Sequence, residues 1–448
     1  MLNLLGELFN MKKSLFVLAT AMFALASCGQ RANTPKNVNI VVWGPAEEEP
    51  VVKAIVDKYN AANPDDKIEY SFNVCSEADG GTTLAADPTV TNYASLFAFA
   101  DDHLGNLVNK NVVRKLGGTN LSHVKDADTE NSIESASYTV NGTKDIFAYP
   151  ISTDNGYFLY YDGAVFGDED VKTFEGLLAK AAEKNKEVVM DVPNGWYSAA
   201  FFLAQGVCGT DSLKYETVKK EDGTNGTKYN ITWDNDNGVK MAKATSELFV
   251  QYNNESTIDG KKNTFLTGDD KVVSTEAASG KLAAVVTGTW NENMLEEKFG
   301  ELKACKLPTL ADHQLGSFSG TKLYGVNAYA TTDEQRTAHK LANLLTNKES
   351  QILRYQQRKS FPCNKEALAD PAYTQNMTIG APAFIEQGKY SAIQSRAAEG
   401  RYWDIGKAIG DVMVKGYMTS DKQKIELKTE AQWKDFLTDQ ITPLRSVA

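Results

Sequence analysis

DIFAYPISTDNGYFLYYD, residues 145–162, is the stretch whose reading decides the fold. Two apolar, β-prone runs, Ile146–Ile151 and Tyr157–Tyr161, flank Ser152–Gly156, whose small polar residues predict a turn or a crossing segment rather than a helix. One strand enters the crossing and another leaves it, as a hinge between two lobes requires. A ligand held between such lobes would meet Asp154 and Tyr157 first.

Working outward, 448 residues are too many for one hydrophobic core and enough for two ordinary domains. With 42% apolar and 23% charged residues the composition is that of a globular protein. The formal charge is −11 and no block or stripe concentrates Lys and Arg, which excludes nucleic acid as a partner. No tandem repeat, heptad pattern or low-complexity block is present, so solenoid and fibrous roles are excluded.

Near the N-terminus, Lys12 and Lys13 precede the apolar run Ser14–Ala26, too short for a comfortable membrane span but built like a secretion signal. Met11-Lys-Lys is itself a good beginning, so the residues before it read as lying upstream of the start. The run ends in Leu25-Ala26-Ser27-Cys28, which resembles the bacterial lipobox, where the cysteine carries lipid and becomes the mature N-terminus. The expectation is a signal peptide over 1–27 and a lipidated tether over 28–36, in an exported chain anchored to the extracytoplasmic face of the cell membrane. Cys75, Cys208, Cys305 and Cys363 remain, free to form two bridges in any of three connectivities or to stay thiols. None has CxxC spacing or a nearby histidine, so no metal site is expected, and no motif calls for a cofactor.

Beyond the tether, strand and helix patterns alternate. Val38–Trp43 reads as a strand, Pro45–Tyr59 as a helix with Val51, Val52, Ile55 and Val56 on one face, Lys67–Val74 as a strand and Leu96–Ala100 as another. Past the opening stretch, helical patterns at 174–185, 199–207 and 238–252 alternate with strands at 188–192 and 282–287. A second crossing is predicted at Gly316–Gly320 before the strand Leu323–Tyr329, and a third after Phe361-Pro362-Cys363-Asn364. This is an α/β chain in two lobes, and in open α/β sheets ligands bind beyond the carboxyl ends of strands. Trp43 and Phe99–His103 hold such positions.

Motifs for catalysis are missing. Gly316–Gly320 has Phe318 where a nucleophile elbow has serine, and Asp234–Gly238 has glycine at the fifth position, where a calcium loop needs a ligand, and no Glu at the twelfth; the latter reads as a helix cap. No GxxxxGK[ST] loop occurs. Four tryptophans, Trp43, Trp196, Trp290 and Trp403, instead stand at element ends beside acids and amides. Rings so placed suit sugars, which offer C–H faces for stacking and hydroxyls for polar contacts.

Val41-Val-Trp-Gly-Pro, Phe97-Ala-Phe-Ala-Asp-Asp-His-Leu-Gly, Ala148-Tyr-Pro-Ile-Ser-Thr-Asp-Asn-Gly-Tyr-Phe-Leu-Tyr-Tyr, Thr287-Gly-Thr-Trp and Leu307-Pro-Thr occur in this order. Together they resemble the extracellular solute-binding proteins of ABC importers, in their maltose and maltodextrin branch, over nearly all of the expected mature chain. The resemblance implies a two-lobed periplasmic-binding-protein-like fold with multiple hinge crossings, residues 37–152 and 322–366 forming one lobe and 153–321 and 367–448 the other. It also implies capture of maltooligosaccharide by hinge closure and delivery to ABC permease subunits in the membrane, without catalysis. In that frame Asp102 and Asp154 match acids that hold sugar hydroxyls, Trp196, Trp290 and Trp403 match ring-stacking positions, and Trp43 and Phe99 match positions near the cleft. Two departures stand out: Glu47 and Glu48 where a basic residue lies beside the sugar, and His103 in place of an arginine. They keep open the same fold with a different oligosaccharide or polyol as ligand. A surface glycoside hydrolase using Asp102 and Asp154 is the minor alternative.

Overall fold

The computed structural model describes residues 38–140, 142–221, 225–253, 263–394 and 400–447; the expected signal peptide, Cys28 and the tether lie outside them. Two mixed sheets, each with its own core, carry the chain. In the first, Asn39–Gly44 lies between the parallel strands Glu69–Val74 and Leu96–Ala100. The helix Glu49–Ala62 connects the first two strands, as parallel pairing demands. It starts at a proline and buries Val51, Val52, Ile55 and Val56 along one face, which satisfies the helical spacing of those residues.

The second sheet runs in the order Phe265–Leu266, Glu187–Val189, Leu282–Thr287, Phe158–Asp162, Leu302–Cys305. Its central strand Leu282–Thr287 is buried at every residue, which explains a continuous apolar run without alternation. Helices Phe174–Glu183, Gly195–Phe202, Asp236–Tyr252, Arg401–Lys415 and Glu430–Arg445 contribute to this lobe's core. Phe249 stacks on Phe265 with centroids 4.0 Å apart, and Phe202 on Trp233 at 4.4 Å. Asp234–Gly238 is a helix start, as the sequence predicts: Asn235 accepts a hydrogen bond from the Gly238 amide at 2.8 Å.

Two long antiparallel strands join the lobes. Tyr149–Gly156 pairs with Ser317–Val326, and the latter also pairs with Leu96–Ala100 of the first sheet. Here the expected turn at Ser152–Gly156 is corrected: the polar residues lie inside a strand, and only Tyr157 separates it from Phe158–Asp162. Their backbone groups find ladder partners at Ser319, Gly320 and Lys322, which local turn propensity does not anticipate. Phe361–Asn364 runs beside these strands, its Phe361 carbonyl accepting from Thr153 N at 3.1 Å and its Cys363 carbonyl from Thr129 N at 3.0 Å. The four cysteines outside the N-terminal region are free thiols.

Candidate functional site: a cleft between the lobes

The carboxyl ends of strands from both sheets converge beside the hinge. Leu96–Ala100 ends in the turn Asp101–His103, and Leu282–Thr287 ends in Gly288 and the turn Thr289–Asn291. After Glu187–Val189 the chain passes through Asn194, whose side chain accepts from Trp196 N and starts the helix Gly195–Phe202.

These ends assemble an aromatic wall on the second lobe. Trp196 and Trp290 lie with ring centroids 6.0 Å apart, and Tyr157 meets Trp196 edge-on at 4.7 Å. Trp290 folds back over Gly288, where an added Cβ would come within 1.9 Å of the ring. Its indole N–H donates to Asp270 Oδ1 at 3.2 Å. Helix Arg401–Lys415 crosses helix Gly195–Phe202 at bare backbone, which brings the Trp403 backbone beside Gly195: a Cβ on Gly406 would lie 2.7 Å from Gly195 Cα. Trp403 packs 6.0 Å from Phe318 and 4.8 Å from Tyr402.

Asp154 sits at the hinge, fully buried, and accepts from the Thr289 hydroxyl of the second lobe at 2.6 Å. Burial works against its charge, but Lys322, the Ser152 and Thr289 hydroxyls and Arg358 outweigh it and hold the carboxyl below the usual range. A further bridge links the lobes: Trp196 Nε1 donates to Gln394 Oε1 at 2.9 Å, while Gln394 Nε2 donates to Asp101 Oδ1 of the first lobe. Asp101, rather than its neighbour, is the acid linked to the aromatic wall, through Gln394. Asp102 keeps a partly exposed side chain, and its carboxyl is pushed up by desolvation, which nearby His103 only partly offsets.

Several of the expected site residues do other work. Phe99 is a correction: it is fully buried in the first core, 5.4 Å from Phe97, because its strand is covered on both faces, and it presents no surface to a ligand. Tyr157 is also buried, and its hydroxyl donates to the Trp196 carbonyl at 2.9 Å, so it supports the wall from behind. Trp43 is nearly enclosed by the first core, with its indole N–H unpartnered. Glu47 is exposed on the turn after the first strand, and His103 packs over Gly81, where a Cβ would meet its ring at 2.6 Å.

Glu48 is buried inside a cationic clamp. It accepts from Arg354 at 2.7 Å, from the Tyr324 hydroxyl at 2.7 Å and from Arg358. Burial raises its pKa, but the two guanidinium groups prevail and bring the carboxyl down to about 2. The extra acid after Trp43 therefore faces arginines, and Arg358 lies near enough to Asp154 to favour its ionised form. Sequence reasoning passed over Lys322, Arg358 and Gln394, and it gave no role to Asp101 and Thr289 within the stretches it singled out. Lys322 alone left a signal, as the one charged residue in the strand Ser317–Val326.

Residues 54–381 match the family model described as bacterial extracellular solute-binding protein. The chain belongs to this family. A comparison with curated protein sequences gave no match. Among solved structures, one described as being with acarbose is 27% identical, with 91% of this chain and 99% of that chain covered and a TM-score of 0.69. The maltodextrin-binding protein MalE1 of L. casei BL23 is similar at 21% identity, 92% and 99% coverage and a TM-score of 0.67. The maltotriose-binding protein of Thermus thermophilus, bound to maltotriose, is similar at 16% identity, 91% and 99% coverage and a TM-score of 0.68. At these identities the last two establish the fold alone. The two-lobed α/β solute-binding fold thus agrees with the architecture read from the sequence, and at the level of the family these are binding proteins rather than enzymes.

Proposed function

We propose that this solute-binding protein captures a maltooligosaccharide in the cleft between its lobes and hands it to the permease of an ABC importer, held at the extracytoplasmic face by lipid on Cys28. One observation carries the reading: Trp196 and Trp290 of the second lobe lie beside the buried carboxylate of Asp154 on the hinge. Rings of this kind stack on pyranose C–H faces, and a carboxylate in a dry cleft accepts hydroxyl hydrogen bonds more strongly than in water. Asp102 of the first lobe supplies a second acceptor, with Trp403 extending the wall. Sugar contacts to both lobes favour the closed form, which the permease then recognises.

The test is calorimetric titration of the purified full chain, in a detergent that carries no sugar, with maltose, maltotriose and longer α-glucans while tryptophan emission is followed. Saturable binding at micromolar ligand or tighter is expected, weakened by roughly ten- to a hundredfold in Asp154→Asn. A folded protein that gives neither heat nor an emission change with any α-glucan rejects maltooligosaccharide as the ligand.

A further inference from the structure

Lys322 is 6% exposed, in the middle of a strand that pairs it with Ala100 on one side and Ser152 on the other. Buried lysines are rare without a partner, because a desolvated ammonium with no hydrogen bond is costly. Among the described residues, the Lys322 ammonium makes no hydrogen bond and no ion pair within 4.0 Å. Its one close neighbour of chemical interest is the ring of Trp290, whose centroid lies 5.4 Å from Nζ. The stem of Lys322 is buried while Nζ is not fully enclosed, so the ammonium stands at the edge of the cleft with only this ring contact.

The complementary group lies on the adjacent hinge strand. Lys322 is registered against Ser152, and Asp154 follows two residues later, past a register shift in the ladder, with the Ser152 hydroxyl beside its carboxyl. Such irregularities re-aim side chains at sites. Thr289 takes one oxygen of Asp154, and the other, Oδ1, is buried without a hydrogen bond. Lys322 therefore presents three unused donors, and Asp154 an unused acceptor, from neighbouring strands beside the same tryptophan. Each is nine-tenths or more buried, and their separation exceeds a direct ion-pair contact.

We propose that Lys322 contacts the ligand and sets its specificity: the ammonium donates to one hydroxyl of a neutral sugar while Asp154 accepts from the adjacent hydroxyl, so that the pair grips a vicinal diol beside Trp290. This rests on the reading of the cleft as a sugar site. It selects a neutral diol over an anionic sugar, because Asp154 lies on the neighbouring strand, Asp270 holds the Trp290 indole, Asp101 lies against Gly320 two residues before Lys322, and Arg358 is already bound to Glu48. A diol offers one hydroxyl to each of the two groups on the neighbouring strands, whereas a carboxylate brings no donor for Asp154.

The experiment compares the full wild-type chain with Lys322→Met and Lys322→Arg, using maltotriose and its monodeoxy analogues in calorimetric titration. Methionine matches the length of lysine and keeps its stem packing; arginine retains donors and charge and serves if the methionine variant does not fold. Maltotriose affinity should fall roughly ten- to a hundredfold in K322M and less in K322R. Wild type should lose a similar factor on the analogue lacking the gripped hydroxyl, and K322M should lose nothing further on that one. A merely structural role would weaken every analogue by the same factor. Unchanged maltotriose binding in K322M, or a uniform loss across the analogues, overturns the diol clamp and leaves the proposed function standing. Failure of wild type to bind maltotriose or any longer α-glucan overturns both.

Discussion

Asp128 lies where the return crossing meets the first lobe, bridged to Asn364 and fully buried, with only Cys363 and Gln351 as weak polar neighbours of its carboxyl among the described residues. Desolvation pushes its pKa up to about 8, opposed only in part by Cys363, Lys365 and Gln351. In the unfolded chain an aspartate ionises near 3.9. Between those two values the folded protein holds a proton that the unfolded chain has released, so stability falls as pH rises, by about 1.4 kcal/mol per unit. This contribution is fully present below about pH 4 and is lost by about pH 8. An asparagine side chain at this position would mimic the neutral acid without titrating. Relative to wild type, Asp128→Asn should therefore gain roughly 4 kcal/mol of stability between pH 5 and pH 8. Urea unfolding of the full chain at pH 5, 6, 7 and 8, followed by circular dichroism and tryptophan emission, measures the difference. A gap between variant and wild type that stays constant with pH would refute a buried neutral acid at this crossing.

Glu48→Gln removes the acid beneath Arg354 and Arg358 and should cost about 3 to 5 kcal/mol in urea unfolding at pH 7, because two buried guanidinium groups lose their partner. Since the Glu48 carboxyl is held at about 2, its contribution is present above the unfolded value near 4.3 and is lost as pH falls through 2. E48Q should accordingly lack that part of the acid-induced loss seen in wild type. Gly288→Ala drives a methyl group into the Trp290 ring and should weaken maltotriose binding about tenfold through displacement of the ring. Wild-type affinity in a folded G288A protein would remove Trp290 from the binding wall.

Much of the fold was legible in local pattern. The strands Leu96–Ala100 and Leu282–Thr287 stand where their apolar runs begin and end, and Arg401–Lys415 follows its helical spacing. Trp196, Trp290 and Trp403 keep part of their rings accessible, whereas Trp43, also at a strand end, is nearly enclosed by the core, as Trp233 and Trp433 are wholly. Phe99 shows the limit of that reasoning: being near a strand end does not expose a residue whose strand lies between two others in the sheet and is buried on both faces.

By itself the sequence determined the alternation of strands and helices and the concentration of aromatics and acids at element ends. Such features depend on side-chain periodicity and turn chemistry within a few residues. Only the tertiary structure decided that Ser152–Gly156 is a strand, that Glu48 is neutralised by Arg354 and Arg358, and that Asp101 reaches Trp196 through Gln394. It alone brought Lys322 beside Trp290 and near Asp154. Each of these contacts joins residues far apart in sequence, and the charge, hydration and hydrogen bonding of a buried polar group depend on partners that local pattern does not specify.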